Sequence, residues 1–84
     1  MILYVAPEAG GARAGFVVSR RVGGAVARNR ARRIMRAAWR ALEPSVAEGI
    51  VAVFVARDAI QGARTQDVET EMRELLQRLG MVRA

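Results

Sequence analysis

Nine arginines and no acidic residue lie from Arg13 to Arg40, and this run limits what the surrounding segment can become. Guanidinium stays charged at any physiological pH. A segment this cationic folds only if its apolar residues gather on one side and its charges face water or an anion. As a helix it meets that condition. At about 100° per residue, Ala27, Ala31, Ile34, Met35, Ala38 and Leu42 share one arc suited to a core. Arg28, Asn29, Arg30, Arg32, Arg33, Arg36 and Arg40 cover the remaining face. The pattern predicts a helix from Ala25 to Leu42, entered through the Gly23-Gly24 turn and ended by Pro44.

Arg28, Arg32, Arg36 and Arg40 recur at every fourth position. Each like-charge contact at that spacing costs an isolated helix roughly 0.2–0.5 kcal/mol, so three amount to about 1 kcal/mol. A solvated face would intersperse glutamates, as the C-terminal segment does with Glu71, Arg73, Glu74 and Arg78. The first half has nine arginines against Glu8 alone, whereas Glu43 to Ala84 has five arginines against seven acids. The formal charge of +6 therefore sits on one half of the chain, the footprint of a nucleic-acid surface. Arginines on several sides of a helix, with Arg20 and Arg21 just before the glycine turn, suit the many phosphate directions of folded RNA. A bilayer would need a broad apolar face opposite the charges, and here that arc is committed to the core. No membrane partner and no obligate protein partner are expected.

The 84 residues suit one domain spanning positions 1–84, with a single small core. Without cysteine or histidine there is no disulfide framework, thiolate metal site, histidine base or histidine-ligated zinc. The longest apolar run, Ile50 to Ala56, is far short of the ~20 residues that span a bilayer. The N-terminal Met1 to Ala6 lacks a basic leader and a cleavage site, so a cytoplasmic protein is expected. Asp58 and Glu43 are lone carboxylates, and no catalytic group of protein origin stands out.

Around the basic helix, Ile2 to Ala6 reads as a strand ended by Pro7. A second strand follows at Ala14 to Ser19, joined to the first by a hairpin-like loop through Gly10-Gly11. Ile50 to Ala56 is apolar on both faces and fits a central or parallel strand. A loop is expected from Arg57 to Arg64, then a helix from Gln66 to Leu79 with Thr65 as N-cap and Gly80 as its stop. Val68, Met72, Leu75, Leu76 and Leu79 form its apolar stripe. The order β-β-α-β-α describes an α+β two-layer sandwich, with parallel strands on either side of the basic helix. Trp39 fits either packing at the helix–sheet margin or a platform for a stacked base. By position alone, Tyr4 and Phe16 are better suited to the core than to a ligand.

The residues Gly15-Phe16-Val17-Val18-Ser19-Arg20-Arg21-Val22-Gly23-Gly24-Ala25-Val26, followed by Arg28-Asn29-Arg30-Ala31-Arg32-Arg33-Ile34-Met35-Arg36, resemble the signature of the bacterial ribonuclease P protein subunit. The resemblance runs from Ile2 onward. The helix and first strand with which family members usually begin have no counterpart in these 84 residues. It implies a left-handed β-α-β crossover through the basic helix. It implies a protein cofactor of a ribozyme that removes the 5′ leader from precursor tRNA, with chemistry carried by RNA and Mg²⁺ bound mainly by that RNA. The implied partners are ribonuclease P RNA and precursor tRNA. Arg28, Asn29, Arg30, Arg32, Arg33 and Arg36 would face the ribozyme RNA, with Arg20, Arg21 and Arg40 extending the basic surface. Tyr4, Phe16 and Val18 would line a cleft for the leader, with Arg32 nearby. Motif lysines are arginines here (Arg20, Arg21, Arg32), which preserves charge but changes the fork geometry. A different class also fits the same helix: a general RNA- or DNA-binding accessory protein, such as a ribosome-associated factor.

If five to seven of these arginines meet phosphate, log K against log salt for a structured RNA has a slope of roughly −4 to −6. Filter binding across a salt series checks this, and a slope near −1 would remove the electrostatic account.

Overall fold

The computed structural model describes residues 1–57, 60 and 62–83. Strand β1 spans Ile2–Pro7, β2 Arg13–Val18, helix α1 Ala25–Leu42, strand β3 Ile50–Ala56 and helix α2 Thr65–Arg78. One-turn 3₁₀ helices sit at Arg20–Val22 and Glu43–Ser45. Asp58, Ala59 and Gln61 of the expected loop lie outside the described residues, as does Ala84.

The sheet order is β1-β3-β2, with β1 antiparallel and β2 parallel to β3. The expected hairpin between β1 and β2 does not form, because β3 takes the place between them. Neighbouring strands lie about 4.8 Å apart, so the connection must bridge two spacings, about 10 Å. Loop residues instead bond to the approach to β3: Glu8 N–H donates to the Gly49 carbonyl and Gly49 N–H to the Gly10 carbonyl, both at 2.9 Å. Gly10 and Gly49, at φ +106° and +82°, adopt backbone that other residues rarely take.

The physical reason for the insertion lies in β3 itself. Ile50, Ala52, Phe54 and Ala56 are buried on its inner face, and Val51, Val53 and Val55 are half-buried on the other. A strand apolar on both faces is best protected in the middle of a sheet. The parallel β2–β3 pair is connected through α1, as a parallel neighbour requires. Residues opposite one another in a ladder share a face. Leu3, Phe54 and Phe16 therefore line the inner side, while Tyr4, Val53 and Gly15 line the outer side.

Phe54 is fully buried at the centre of the core. Its ring lies 6.3 Å from Phe16, nearly parallel at 15°, and 5.9 Å from Trp39 of α1, tilted by 55°. Ala31, Met35, Ala38 and Leu42 of α1 and Val68, Met72 and Leu76 of α2 complete the cluster.

Helix boundaries follow local chemistry. Pro44 sits inside the 3₁₀ turn that ends α1. Helix α2 begins one residue earlier than expected, with Arg64 rather than Thr65 as N-cap. The Asp67 carboxylate accepts the Arg64 N–H at 3.1 Å, so the acid three places on selects the cap. At the other end Gly80, at φ +72°, reverses the chain, and Met81 N–H bonds back to Leu76 at 2.9 Å. Leu79 falls beyond the helix and is half exposed, not part of the buried stripe. Past Gly80, a bridge between Val46 and Val82 ties the chain to the segment after α1.

Phe54→Ala removes the ring on which β2, β3 and α1 converge. It lowers the unfolding free energy by about 3–5 kcal/mol, measured by chemical denaturation. A loss below about 1 kcal/mol would show that the aromatic row is not the centre of stability.

Candidate nucleic-acid interface

The approach to α1 is built to throw two arginines outward. Ser19 N–H extends the β2–β3 ladder by one bond to the Ala56 carbonyl at 3.1 Å, and Ser19 Oγ then accepts the Arg21 N–H at 3.2 Å. In the 3₁₀ turn, Val22 is buried and anchors the backbone, which leaves Arg20 and Arg21 exposed. Gly23, at φ +138°, makes the reversal into the helix, with Gly24 as N-cap.

Along α1 the burial follows the sequence wheel. Arg30, Arg33, Arg36, Arg40 and Asn29 are exposed, while Arg28 and Arg32 are half-buried beside the core arc. Arg32 Nη1 donates to Asn29 Oδ1 at 3.3 Å, which orders both side chains. The Arg28 Nε lies out of reach of water with no hydrogen-bond partner. Val26, in the first turn, is the most exposed large apolar residue.

Among the described residues, no carboxylate forms an ion pair with any arginine of α1 or of the preceding turn. The arginine ion pairs lie elsewhere: Arg13 with Glu8, Arg73 with Glu69, and Arg83 with Glu48. Arg13 is thus compensated, while among the described residues the other eight arginines of the basic run have no carboxylate partner. Of the nine residues expected to face RNA, Arg20 and Arg21 sit in the turn before α1 and the other seven, Asn29 included, lie along α1.

The expected leader cleft is divided. Tyr4 is on the outer sheet face and 59% exposed, not in the core. Phe16 and Val18 lie on the inner face, Phe16 against Phe54 and Val18 buried under the helical layer. Val53 of β3 stands opposite Tyr4 on the outer face, and Gly15 and the half-exposed Val17 lie on the same face one strand further on. Strand alternation gave the parity within each strand, but only the register shows which parity of β2 accompanies Tyr4. Gly15 leaves this surface shallow, since a Cβ there would meet only Val53 Cγ2, at 3.8 Å. Trp39 is buried against Phe54, which settles its role as packing.

Among the described residues, no three carboxylates gather to hold a metal, and no helix is long and apolar enough to cross a membrane.

Fold and surface together define a small α+β sandwich that presents one cationic helical face. A sequence profile of the family described as Ribonuclease P matches residues 1–80. The Ribonuclease P protein component of Roseiflexus castenholzii is 45% identical over 71 residues, covering 83% of this chain and 58% of that protein. That of Chloroflexus aurantiacus is 57% identical over 58 residues, covering 68% and 43%. The chain belongs to the ribonuclease P protein family. It spans 43% to 60% of the length of these relatives and of that from Roseiflexus sp.. Among solved structures, the RNase P protein from Thermotoga maritima in complex with 1-(4-fluorophenyl)-2-thiourea superposes with a TM-score of 0.78. At 23% identity, over 90% of this chain and 76% of that one, this likeness speaks to the fold. The Staphylococcus aureus RNase P protein, at 20% identity, also gives 0.78.

Replacing the exposed Arg36 by Ala weakens binding of a structured RNA by about 1–3 kcal/mol. Replacing Arg78, on the acid-balanced α2, changes it little. Gel-shift titration of both variants checks this, and equal losses would reduce the helix to a diffuse polycation.

Proposed function

We propose that this chain acts as the protein subunit of ribonuclease P. It binds the catalytic RNA through α1 and the preceding turn, and the 5′ leader of precursor tRNA across the outer sheet face around Tyr4. The observation that carries the reading is the uncompensated arginine face of α1 in a chain of this family. Guanidinium forks fit phosphate oxygens bidentately, so such a face draws RNA phosphates together and lowers their mutual repulsion. Tyr4 offers a ring on which an unpaired leader base can stack, with Val17 and Val53 as an apolar floor.

In this reading the chemistry belongs to RNA and Mg²⁺. The protein's part is to bind and orient. Precursor tRNA and ribonuclease P RNA are the partners, the cytoplasm is the working compartment, and no obligate protein partner is needed.

The test is cleavage of precursor tRNA by the ribozyme RNA at low Mg²⁺, with and without the protein. Arginines and divalent cations both neutralise phosphate, so the protein raises the rate most where Mg²⁺ is scarce. Tyr4→Ala reduces the preference for leader-bearing over mature tRNA while leaving affinity for the ribozyme RNA unchanged. No stimulation at any Mg²⁺ level would overturn the proposal.

A further inference from the structure

A hollow of about 400 Å³ lies between α1 and the start of α2, lined by Arg30, Arg33, Ile34, Ala63, Arg64 and Thr65. Arg30 Nη2 donates to the Ala63 carbonyl at 3.4 Å, which holds that guanidinium across the gap. Arg33 and Arg64 are exposed, and among the described residues none of the three guanidiniums pairs with a carboxylate. Three cations around one small hollow repel one another, and an anion among them reverses the sign of that interaction.

The backbone adds to the same side. Arginine at the N-cap offers no acceptor, and among the described residues neither the Thr65 nor the Gln66 N–H finds a protein partner. Unpaired amides at a helix start favour anions. The Thr65 hydroxyl supplies another donor at the wall. Asp67, the acid of that first turn, is engaged with the Arg64 N–H.

We propose that this hollow is a phosphate site, which takes one internucleotide phosphate of the bound RNA and so extends the RNA surface from α1 across to α2. The RNA as the source of the phosphate rests on the function proposed above; the phosphate chemistry does not.

The test has two arms on the full chain. In the first, inorganic phosphate is titrated at constant ionic strength, balanced by chloride, and followed by nitrogen–proton correlation spectra. The Thr65 and Gln66 amides and the Nε signals of Arg30, Arg33 and Arg64 shift together and saturate. Arg64→Gln abolishes the saturating shift, and Arg64→Lys retains part of it. Both keep the backbone N–H that Asp67 accepts, and the remaining spectrum reports that each is folded. A drift no larger than that with chloride would overturn the site.

In the second arm, Arg64→Gln weakens structured-RNA binding about tenfold and makes the salt slope shallower by roughly 0.7 to 0.9. Saturating phosphate shifts with an RNA slope unaltered by Arg64→Gln would overturn RNA as the source. Wild-type protein that shows the phosphate shifts but binds no structured RNA would sink the proposed function and uphold the phosphate chemistry.

Discussion

The burial of Phe54 holds the rest of the molecule in place. Its ring meets Phe16 from β2 on one side and Trp39 from α1 on another, so one residue of the central strand fixes both the parallel pairing and the seat of the helix. Aromatic pairs of this kind contribute about 0.5–1.5 kcal/mol beyond the area they bury. In a chain of 84 residues the margin of stability is only about 5–10 kcal/mol, so such a junction weighs heavily. It also sets the direction of the charges. Once Trp39, Met35 and Leu42 are pinned inward, Arg36, Arg40, Asn29 and Arg33 have nowhere to point but out.

The basic face opposes folding of the free protein and favours binding. Like charges one turn apart raise the energy of α1, and no acid on the described surface offsets them there. The apolar arc beneath is what keeps the helix intact without a partner. The acids cluster instead on α2, where Glu69 pairs with Arg73, and near the chain's other loops. The two helices thus divide the work, α1 presenting charge and α2 closing the core. The sheet offers its outer side as a separate surface around Tyr4, on which the charge of Arg13 is paired with Glu8, so the two proposed RNA contacts use different faces and different chemistry.

Much of this was legible from residues alone. The wheel of α1 and the Ile50 to Ala56 run matched the structure end to end, because a helix and a central strand declare themselves by local periodicity. Seven of the nine residues expected to face RNA lie on α1 away from its fully buried positions, since position on a helix follows from spacing alone. The cap of α2 moved by one residue because Asp67 can close on Arg64, a choice between neighbouring donors that propensity does not resolve. Leu79 left the stripe because the reversal at Gly80 ended the helix before it.

By itself, then, the chain determined its elements, the side of α1 that carries charge, and the want of a partner for that charge. Only the tertiary structure decided what lies beside what. It placed β3 between β1 and β2, and the register set Tyr4 on the face shared by Val53, Gly15 and Val17 rather than that of Phe16 and Val18. It carried Arg64 from the far end of β3 to within reach of Arg30 and Arg33. The reason is physical: periodicity is a property of neighbours along the chain, whereas strand order and clefts are set by which buried surfaces meet across it, here at Phe54.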